Sequence, residues 1–202
     1  AAIANDDVRE ARRLVERIGG LTFTSVGVLV LVAPVFVLLL ASIALKRPTA
    51  LAAGIVYWTV AGLIGASLSI LGVLYTSHAL VSAFAVVGGA FAGLSLWAAR
   101  TPRDLTAMGV FFANGLLGLI LALLVAAFFP ASGLITLIDL AGVVVFSGLI
   151  AADTQRLKRL YRETAEPEAL HAASTYGALT LYMSFVNLLQ LVLGLSGARG
   201  RR

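Results

Sequence analysis

Long apolar stretches alternate with short charged or turn-forming segments along the chain. Most of these stretches reach the roughly 20 residues that a helix needs to cross a bilayer. They predict six membrane-spanning helices, with approximate limits 21–45, 50–75, 79–99, 105–129, 132–152 and 171–197. The runs are continuous rather than alternating, which favours helices over the strands of a membrane barrel. The expected fold class is therefore an all-α, polytopic membrane helix bundle.

The sixth stretch is more polar than the others. It reads YGALTLYMSFVNLLQLVLGL and carries Ser184 and Asn187 among apolar residues. Polar groups without partners are costly in hydrocarbon, so we expect the other helices to enclose this semi-polar helix at the centre of the bundle. Such a helix suits an ion path, and it suits equally a packing helix held by hydrogen bonds.

The chain divides into three parts by composition. Residues 1–20 form a charged segment whose apolar positions recur at helical spacing, residues 21–197 form the predicted bundle, and residues 198–202 form a basic tail. The first segment is either an amphipathic helix on the membrane surface or a solvated lead into the first span.

Composition narrows the class of protein further. Hydrophobic residues make up 60% of the chain and charged residues 12%, about half the charged share of a soluble domain. A soluble enzyme and a disordered chain are therefore excluded. The chain has no cysteine and no recognisable hydrolase or metalloprotease motif, so neither enzymatic activity nor a bound cofactor is expected. The net charge of +5 indicates basic loops at a bilayer surface rather than a nucleic-acid partner.

Basic residues predict the orientation of the bundle. The loops after the first, third and fifth stretches contain eight of them, whereas the loops after the second and fourth contain none: Lys46, Arg47, Arg100, Arg103, Arg156, Lys158, Arg159 and Arg162. The positive-inside rule places these three loops in the cytoplasm. Six crossings then leave both basic termini outside, so either a further helix precedes residue 1 or an end segment does not fully cross.

Small residues spaced four apart predict close helix packing. Two such pairs stand out, Ala61 with Gly65 and Gly89 with Gly93. Each pair is expected to let a neighbouring backbone approach closely.

Two carboxylates stand out against the apolar background. Asp139 lies inside the fifth stretch and Asp153 at its end, 14 residues further on. In a helix this separation is about 21 Å, so the two share roughly one face but cannot touch. Asp139 is either an intramembrane polar site or a hydrated carboxylate near the surface. Asp153 is either a helix-end residue paired with Arg156 or a functional group beside the polar sixth helix.

Several segments resemble the transmembrane Bax-inhibitor motif family, in particular its bacterial members. AADTQRLKRLY and GALTLYMSFVNLL carry the most specific likeness, supported by RDLTAMGVFFANGLLGLILALLVAAFF and LVAPVFVLLLASIALKR. The resemblance covers roughly residues 28–197. It implies seven helices with the last one central, and hence a family helix before this chain begins. It also implies an integral protein of the bacterial inner membrane.

The resemblance further implies a pH-sensitive calcium leak built on two facing aspartates. Asp153 of the DTQ segment matches the first aspartate, whereas Ser184 occupies the position of the second. Gly194 stands where the family often has a basic residue. Asp153 is therefore expected to titrate as a single carboxylate, not as half of a proton-sharing pair. The predicted ion path or pH sensor consists of Asp153, Ser184 and Asn187, with Asp153 the residue expected to contact calcium.

Two functions stay open at this point. The first is a calcium or cation leak, which the DTQ segment and the polar last helix favour. The second is a non-conducting accessory subunit that binds other integral membrane proteins or a membrane protease. The missing second carboxylate favours this alternative. In both cases the lipid bilayer is the expected surrounding partner.

Overall fold

The computed structural model describes residues 50–69, 71–129, 132–164 and 166–196. All regular elements in this part of the chain are helices. The first predicted span, the amphipathic N-terminal segment and the basic tail lie outside the described residues.

Five long helices and one short turn of helix follow one another along the described chain. They are α1 (Ala50–Leu68), α2 (Leu71–Leu74), α3 (Ser77–Arg100), α4 (Thr106–Phe128), α5 (Ser132–Glu163) and α6 (Pro167–Leu195). Within the described ranges, α3 to α6 are the four helices long and apolar enough to cross a membrane, and α1 is a shorter apolar helix. The last five predicted spans therefore coincide with helices, whereas a total of six membrane spans is not established.

Local sequence signals explain where these helices begin and end. The hydroxyl of Thr76 accepts a hydrogen bond from the backbone N–H of Ala79 at 3.3 Å, which caps the start of α3. α3 ends at Arg100, two residues before Pro102. The residue before a proline, here Thr101, disfavours helical backbone, which explains this end. Pro167 occupies the first position of α6. A backbone N–H at this position has no partner within the helix, so its absence from proline costs no hydrogen bond.

Helix α5 is longer than the sequence predicts. It runs unbroken from Ser132 to Glu163, so the charged segment expected to form a loop from Arg156 is helical for eight more residues. The basic loop predicted after the fifth stretch is therefore wrong for Arg156–Glu163, because charge marks the edge of the bilayer and not the end of a helix. Asp153 thus lies ten residues before the end of α5 instead of at its terminus.

The chain divides into two compact units, and helices α3 to α6 all belong to the second. Of the described residues, Trp58–Ser69 belongs to the first unit, and residues 50–57 and 71–196 belong to the second. In the second unit α5 packs against α3, α4 and α6, and α3 also packs against α6. Its core centres on a few fully or almost fully buried aliphatic side chains, namely Val87, Ile150, Leu188 and Leu193.

The polar last helix is the most enclosed of the four candidate spans. In an apolar 18-residue segment of α6, one third of the residues are buried (33%). The corresponding share is 22% for α5 and lower for α3 and α4. Ser184 is itself buried, with 4% of its surface exposed. Among the described spans α6 has the largest buried share, and Ser184 is buried as predicted, whereas Asn187, predicted to be turned toward protein with it, is only half-buried.

Within the described helices, the closest contacts at glycines do not fall on the pairs that the spacing predicts. Among the described residues, no atom lies within 4 Å of a Cβ built on Gly65, Gly89 or Gly93. A Cβ on Gly148 of α5, in contrast, would overlap the ring of Phe112 of α4. The close approach therefore occurs at the α4–α5 interface, and at α5–α6 as described below.

Candidate functional site

Helices α5 and α6 are antiparallel, and contacts at two glycines fix their register. A Cβ on Gly177 of α6 would overlap the side chain of Leu157 of α5. A Cβ on Gly142 of α5 would lie 2.8 Å from Cδ1 of Leu191 of α6. Each step forward along α6 is thus matched by a step backward along α5.

This register brings Asp153 and Ser184 to neighbouring levels of the interface. Asp153 lies four residues before Leu157, level with position 181 of α6, whereas Ser184 lies level with position 150 of α5. They are therefore about one helical turn apart along the helix axes. Gly177, Ser184 and Leu191 are spaced by seven residues and share the face of α6 that meets α5. Asp153 is half-buried, in contrast to the buried Ser184.

Of the other two predicted polar residues, Asp139 lies on the same interface, and Asn187 lies near it in level. Asn187 is half-buried and follows Ser184 by three residues, a little less than one turn. At the far end, a Cβ on Gly194 would lie 2.7 Å from Oδ2 of Asp139, so the Asp139 carboxylate lies against α6. We call Asp153, Ser184, Asn187 and Asp139, in this order along the interface, the polar seam.

Apolar side chains fill the interface between the two carboxylates of the polar seam. Ile150 and Leu188 lie between them in level and are 0% and 1% exposed. In the described part of the chain, buried apolar side chains therefore separate the two carboxylates along this interface.

The DTQ segment supplies side chains to three different places. The hydroxyl of Thr154 donates to the carbonyl of Ile150 at 2.7 Å and lies 3.3 Å from Oγ of Ser95 on α3. Gln155 reaches the connection between α3 and α4: its Oε1 accepts the N–H of Leu105 at 2.7 Å. Its Nε2 donates to the carbonyl of Arg103, also at 2.7 Å. Only Asp153 belongs to the polar seam.

The role of Gln155 is one that sequence reasoning missed. Successive residues of a helix point about 100° apart, since a turn contains 3.6 residues, so three consecutive polar residues cannot face one path. This rotation of about 100° per residue is the signal in the sequence from which the separate role of Gln155 can be predicted. It separates Gln155, which holds a loop, from Asp153, whose side chain lines a cavity beside α4.

The helical extension of α5 also holds the same connection. Nζ of Lys158 donates to the carbonyl of Ala99, and Nη1 of Arg159 donates to Oγ1 of Thr106 at 3.2 Å. The basic residues near Arg103 and those near Lys158 therefore lie at the same end of the bundle, as the topology predicts. Lys46 and Arg47 lie outside the described residues, and the cytoplasmic location of this end stays a prediction.

Asp104 binds the first residue of α4, Thr106, at this basic end of the bundle. Its Oδ1 accepts hydrogen bonds from the hydroxyl and the backbone N–H of Thr106, at 2.6 and 2.9 Å. These bonds hold the pKa of Asp104 below its ordinary value. The bond from the Thr106 hydroxyl has the largest effect, the bond from its backbone N–H the next, and Arg159 acts in the same direction. Arg159, Thr106 and Asp104 thus form one hydrogen-bonded chain.

A cavity of about 580 Å³ opens between the start of α4 and α5 beside these groups. Asp153 contributes to its wall, and so do the three arginines Arg103, Arg156 and Arg159. The Asp153 end of the polar seam therefore meets this cavity at the basic end of the bundle.

The predicted calcium contact at Asp153 is not part of a preformed metal site. In the part of the chain that the structure describes, no three His, Asp or Glu side chains come together to hold a metal ion. Any cation at Asp153 would be a passing one, with oxygen ligands from neighbouring side chains and water.

Similarity to other proteins agrees with this architecture. The family described as "Inhibitor of apoptosis-promoting Bax1" matches residues 13–201. An uncharacterized protein of Caulobacter vibrioides is 43% identical over 166 residues, which cover 82% of this chain and 66% of that protein. The Rickettsia prowazekii protein RP147 is 40% identical over 87% of this chain and 75% of its own length. The inner membrane protein YbhL of Escherichia coli is 37% identical over 68% of this chain and 59% of its own length.

The helices and the polar seam define a polytopic α-helical membrane protein with an enclosed, semi-polar last helix. The chain belongs to the Bax-inhibitor family, as the DTQ and GALTLY segments indicate. It spans about two thirds of the length of the first relatives given above. It is an integral protein of the bacterial inner membrane, in agreement with its four apolar helices and with the inner-membrane relative.

Proposed function

We propose that this protein is a cation leak in which the polar seam is the ion path, present here in a closed conformation. The observation that carries the proposal is the alignment of four polar residues along one interface of an otherwise apolar bundle. Asp153 and Asp139 lie at its two ends, with Ser184 and Asn187 between them. Polar side chains at membrane depth are costly, and their alignment on one path favours a functional role.

The chemistry of the polar seam suits a hard cation. Carboxylate, hydroxyl and amide oxygens are the ligands that calcium prefers in proteins, and the polar seam supplies all three kinds. Opening requires that α5 and α6 rotate or separate, because Ile150 and Leu188 fill the space between the carboxylates. The cavity beside Asp153 gives the path an entrance at the basic end.

The leak should depend on pH in a different way from one with two facing carboxylates. A hydroxyl at position 184 can hydrogen-bond to Asp153, but it cannot share a titrating proton with it. Asp153 is therefore expected to act as a single carboxylate, and no proton-sharing step should control opening near neutral pH.

A second candidate is a non-conducting subunit that binds another integral membrane protein or a membrane protease. The observation that favours it is the closure of the polar seam by fully buried aliphatic side chains. Under this alternative Ser184 and Asn187 are packing residues that stabilise the α5–α6 pair.

Flux into liposomes that contain only the purified chain tests the proposal. Calcium and sodium entry should be measurable with the unmodified chain and should fall strongly with Asp153→Asn. Glu163→Gln is the matched control, because it neutralises an exposed carboxylate at the same end of α5 that belongs neither to the polar seam nor to the cavity wall. Ser184→Asp should introduce a pH-dependent step in flux between about pH 5 and 8, since it places a second carboxylate one turn from the first.

Each outcome decides between the candidates. Flux that is unaffected by Asp153→Asn would refute the polar seam as the path. Complete absence of flux in all variants would refute the leak. In that case, co-purification of one partner at fixed stoichiometry from native membranes would establish the subunit role.

A further inference from the structure

The cavity at the basic end of the bundle has two unlike walls. Its outer part is formed by exposed arginines, Arg103, Arg156 and Arg159. Its deeper part, between α4 and α5, is formed by apolar residues that include Val110 and Ala113. Both of these side chains are exposed on α4, a helix whose large apolar side chains also face outward. The cavity therefore opens toward lipid and not only toward water.

We infer that this cavity binds an anionic phospholipid of the adjacent leaflet. The arginines would hold the phosphate, and the start of an acyl chain would lie along Val110 and Ala113. Guanidinium groups bind phosphate through paired hydrogen bonds. Ala113 lies seven residues after Thr106, about 10 Å below the start of α4, so the order of polar and apolar walls matches the order of headgroup and chain in a leaflet. The volume of about 580 Å³ is within the range of small-molecule sites.

Two carboxylates also line the cavity, and neither removes its positive character. Asp104 is engaged by the hydroxyl and N–H of Thr106, and Arg159 lies beside that pair. Asp153 lies one turn deeper than Arg156, which is close enough to interact with it electrostatically. Three guanidinium groups thus face two carboxylates, and the excess charge is at the outer part, where the phosphate would lie. The inference does not depend on ion flux.

Native mass spectrometry of the purified chain, with added lipid, tests this site. Dioleoyl phosphatidylglycerol should be retained as one tightly bound molecule, and dioleoyl phosphatidylcholine much less, because its choline cation would approach the arginines. Arg103→Gln should weaken phosphatidylglycerol binding by about tenfold, as expected for the loss of a charged hydrogen-bond donor. It leaves intact the Arg103 carbonyl that Gln155 holds. Ala113→Phe, which fills the apolar wall, should weaken binding to a similar extent.

Arg162→Gln is the matched control, since this exposed arginine lies on the same helix but is not among the residues that line the cavity. Folding of each variant is checked by its helical circular dichroism and its elution volume. Equal retention of both lipids, or equal binding by the unmodified chain, Arg103→Gln and Arg162→Gln, would overturn the inference. Binding of sn-glycerol 3-phosphate as tightly as the lipid, with no effect of Ala113→Phe, would show a simple anion site and would overturn it also.

Discussion

Gln155→Ala is the substitution whose consequence follows most directly from the structure. The amide side chain accepts the N–H of Leu105 and donates to the carbonyl of Arg103, each at 2.7 Å. Leu105 is 5% exposed and packs with Ala98 and Ala151, so water does not readily replace the lost acceptor. Its backbone N–H, which is partly buried, would remain without a partner in the protein.

The expected cost can be worked from these two bonds. A buried donor left unsatisfied costs about 1–3 kcal/mol, whereas the exposed Arg103 carbonyl can bond to water. If the connection opens locally, this cost corresponds to roughly 5- to 150-fold faster exchange of the Leu105 amide. Hydrogen–deuterium exchange with mass spectrometry, on the protein in nanodiscs, measures that rate from peptides that end on either side of Leu105.

Two matched variants make the test specific. Gln155→Glu keeps an acceptor for Leu105 and should preserve its protection. Thr154→Val removes the hydroxyl of the neighbouring motif residue, which does not contact the α3–α4 connection, and should leave Leu105 unchanged. Equally slow exchange of Leu105 in Gln155→Ala and in the unmodified chain would refute the role assigned to Gln155.

Three further outcomes are expected. Single cysteines at Arg103 and Lys158, introduced into a chain that has no other, should react with an impermeant maleimide from the cytoplasmic side only. Gly148→Ala should lower stability by about 1–3 kcal/mol in detergent unfolding, because its methyl group overlaps an aromatic ring of α4. Thr106→Ala should raise the pKa of Asp104, measured by carboxyl NMR titration, since it removes the bond that lowers this pKa most. The lowered pKa means that this stabilisation is present above the ordinary aspartate pKa and is lost as pH falls through the lowered value.

Two of these expectations have a matched control variant. A cysteine at His78, at the opposite end of α3, should react only from the other side of the membrane. Gly89→Ala should leave stability unchanged, because the described residues leave open space at that position. Labelling of the two basic positions from opposite sides would contradict the topology. An unaltered unfolding midpoint in the Gly148 variant would contradict the packing argument, and identical titration of Asp104 in both proteins would contradict its assigned cause.

The sequence predicts the helices well because the length of an apolar stretch can be read from neighbouring residues alone, without knowledge of contacts between helices. The stretches that contain α3 and α4 are bounded by Thr101-Pro102 and by Pro130, and both helices end within two residues of these signals. The apolar pattern predicts the end of α5 too early, at about residue 152 instead of Glu163, for a physical reason. Lys158 and Arg159 leave the apolar region, but they continue the helix, because their side chains bond to the α3–α4 connection.

Contacts between helices are harder to predict, because they depend on which faces meet. Gly89 and Gly93 have the spacing of a close-packed pair, yet the described neighbours leave open space beside them. Gly177 has the same spacing, with Ala173 four positions before it, and it does admit Leu157 into the α5–α6 interface. The placement of Asp153 and Ser184 on that interface follows from the same register, which periodicity alone does not give.

The short connection between α5 and α6 has a consequence for how the protein enters the membrane. α5 ends at Glu163 and α6 begins at Pro167, so the two helices form a tight hairpin. Alone in lipid, α6 would expose Ser184 and Asn187 to hydrocarbon, which disfavours its partitioning. Paired with α5 during synthesis, it presents the polar seam to a helix instead of to lipid. The hairpin therefore favours insertion of the last two helices as one unit, with α5 accompanying the least apolar of the four candidate spans.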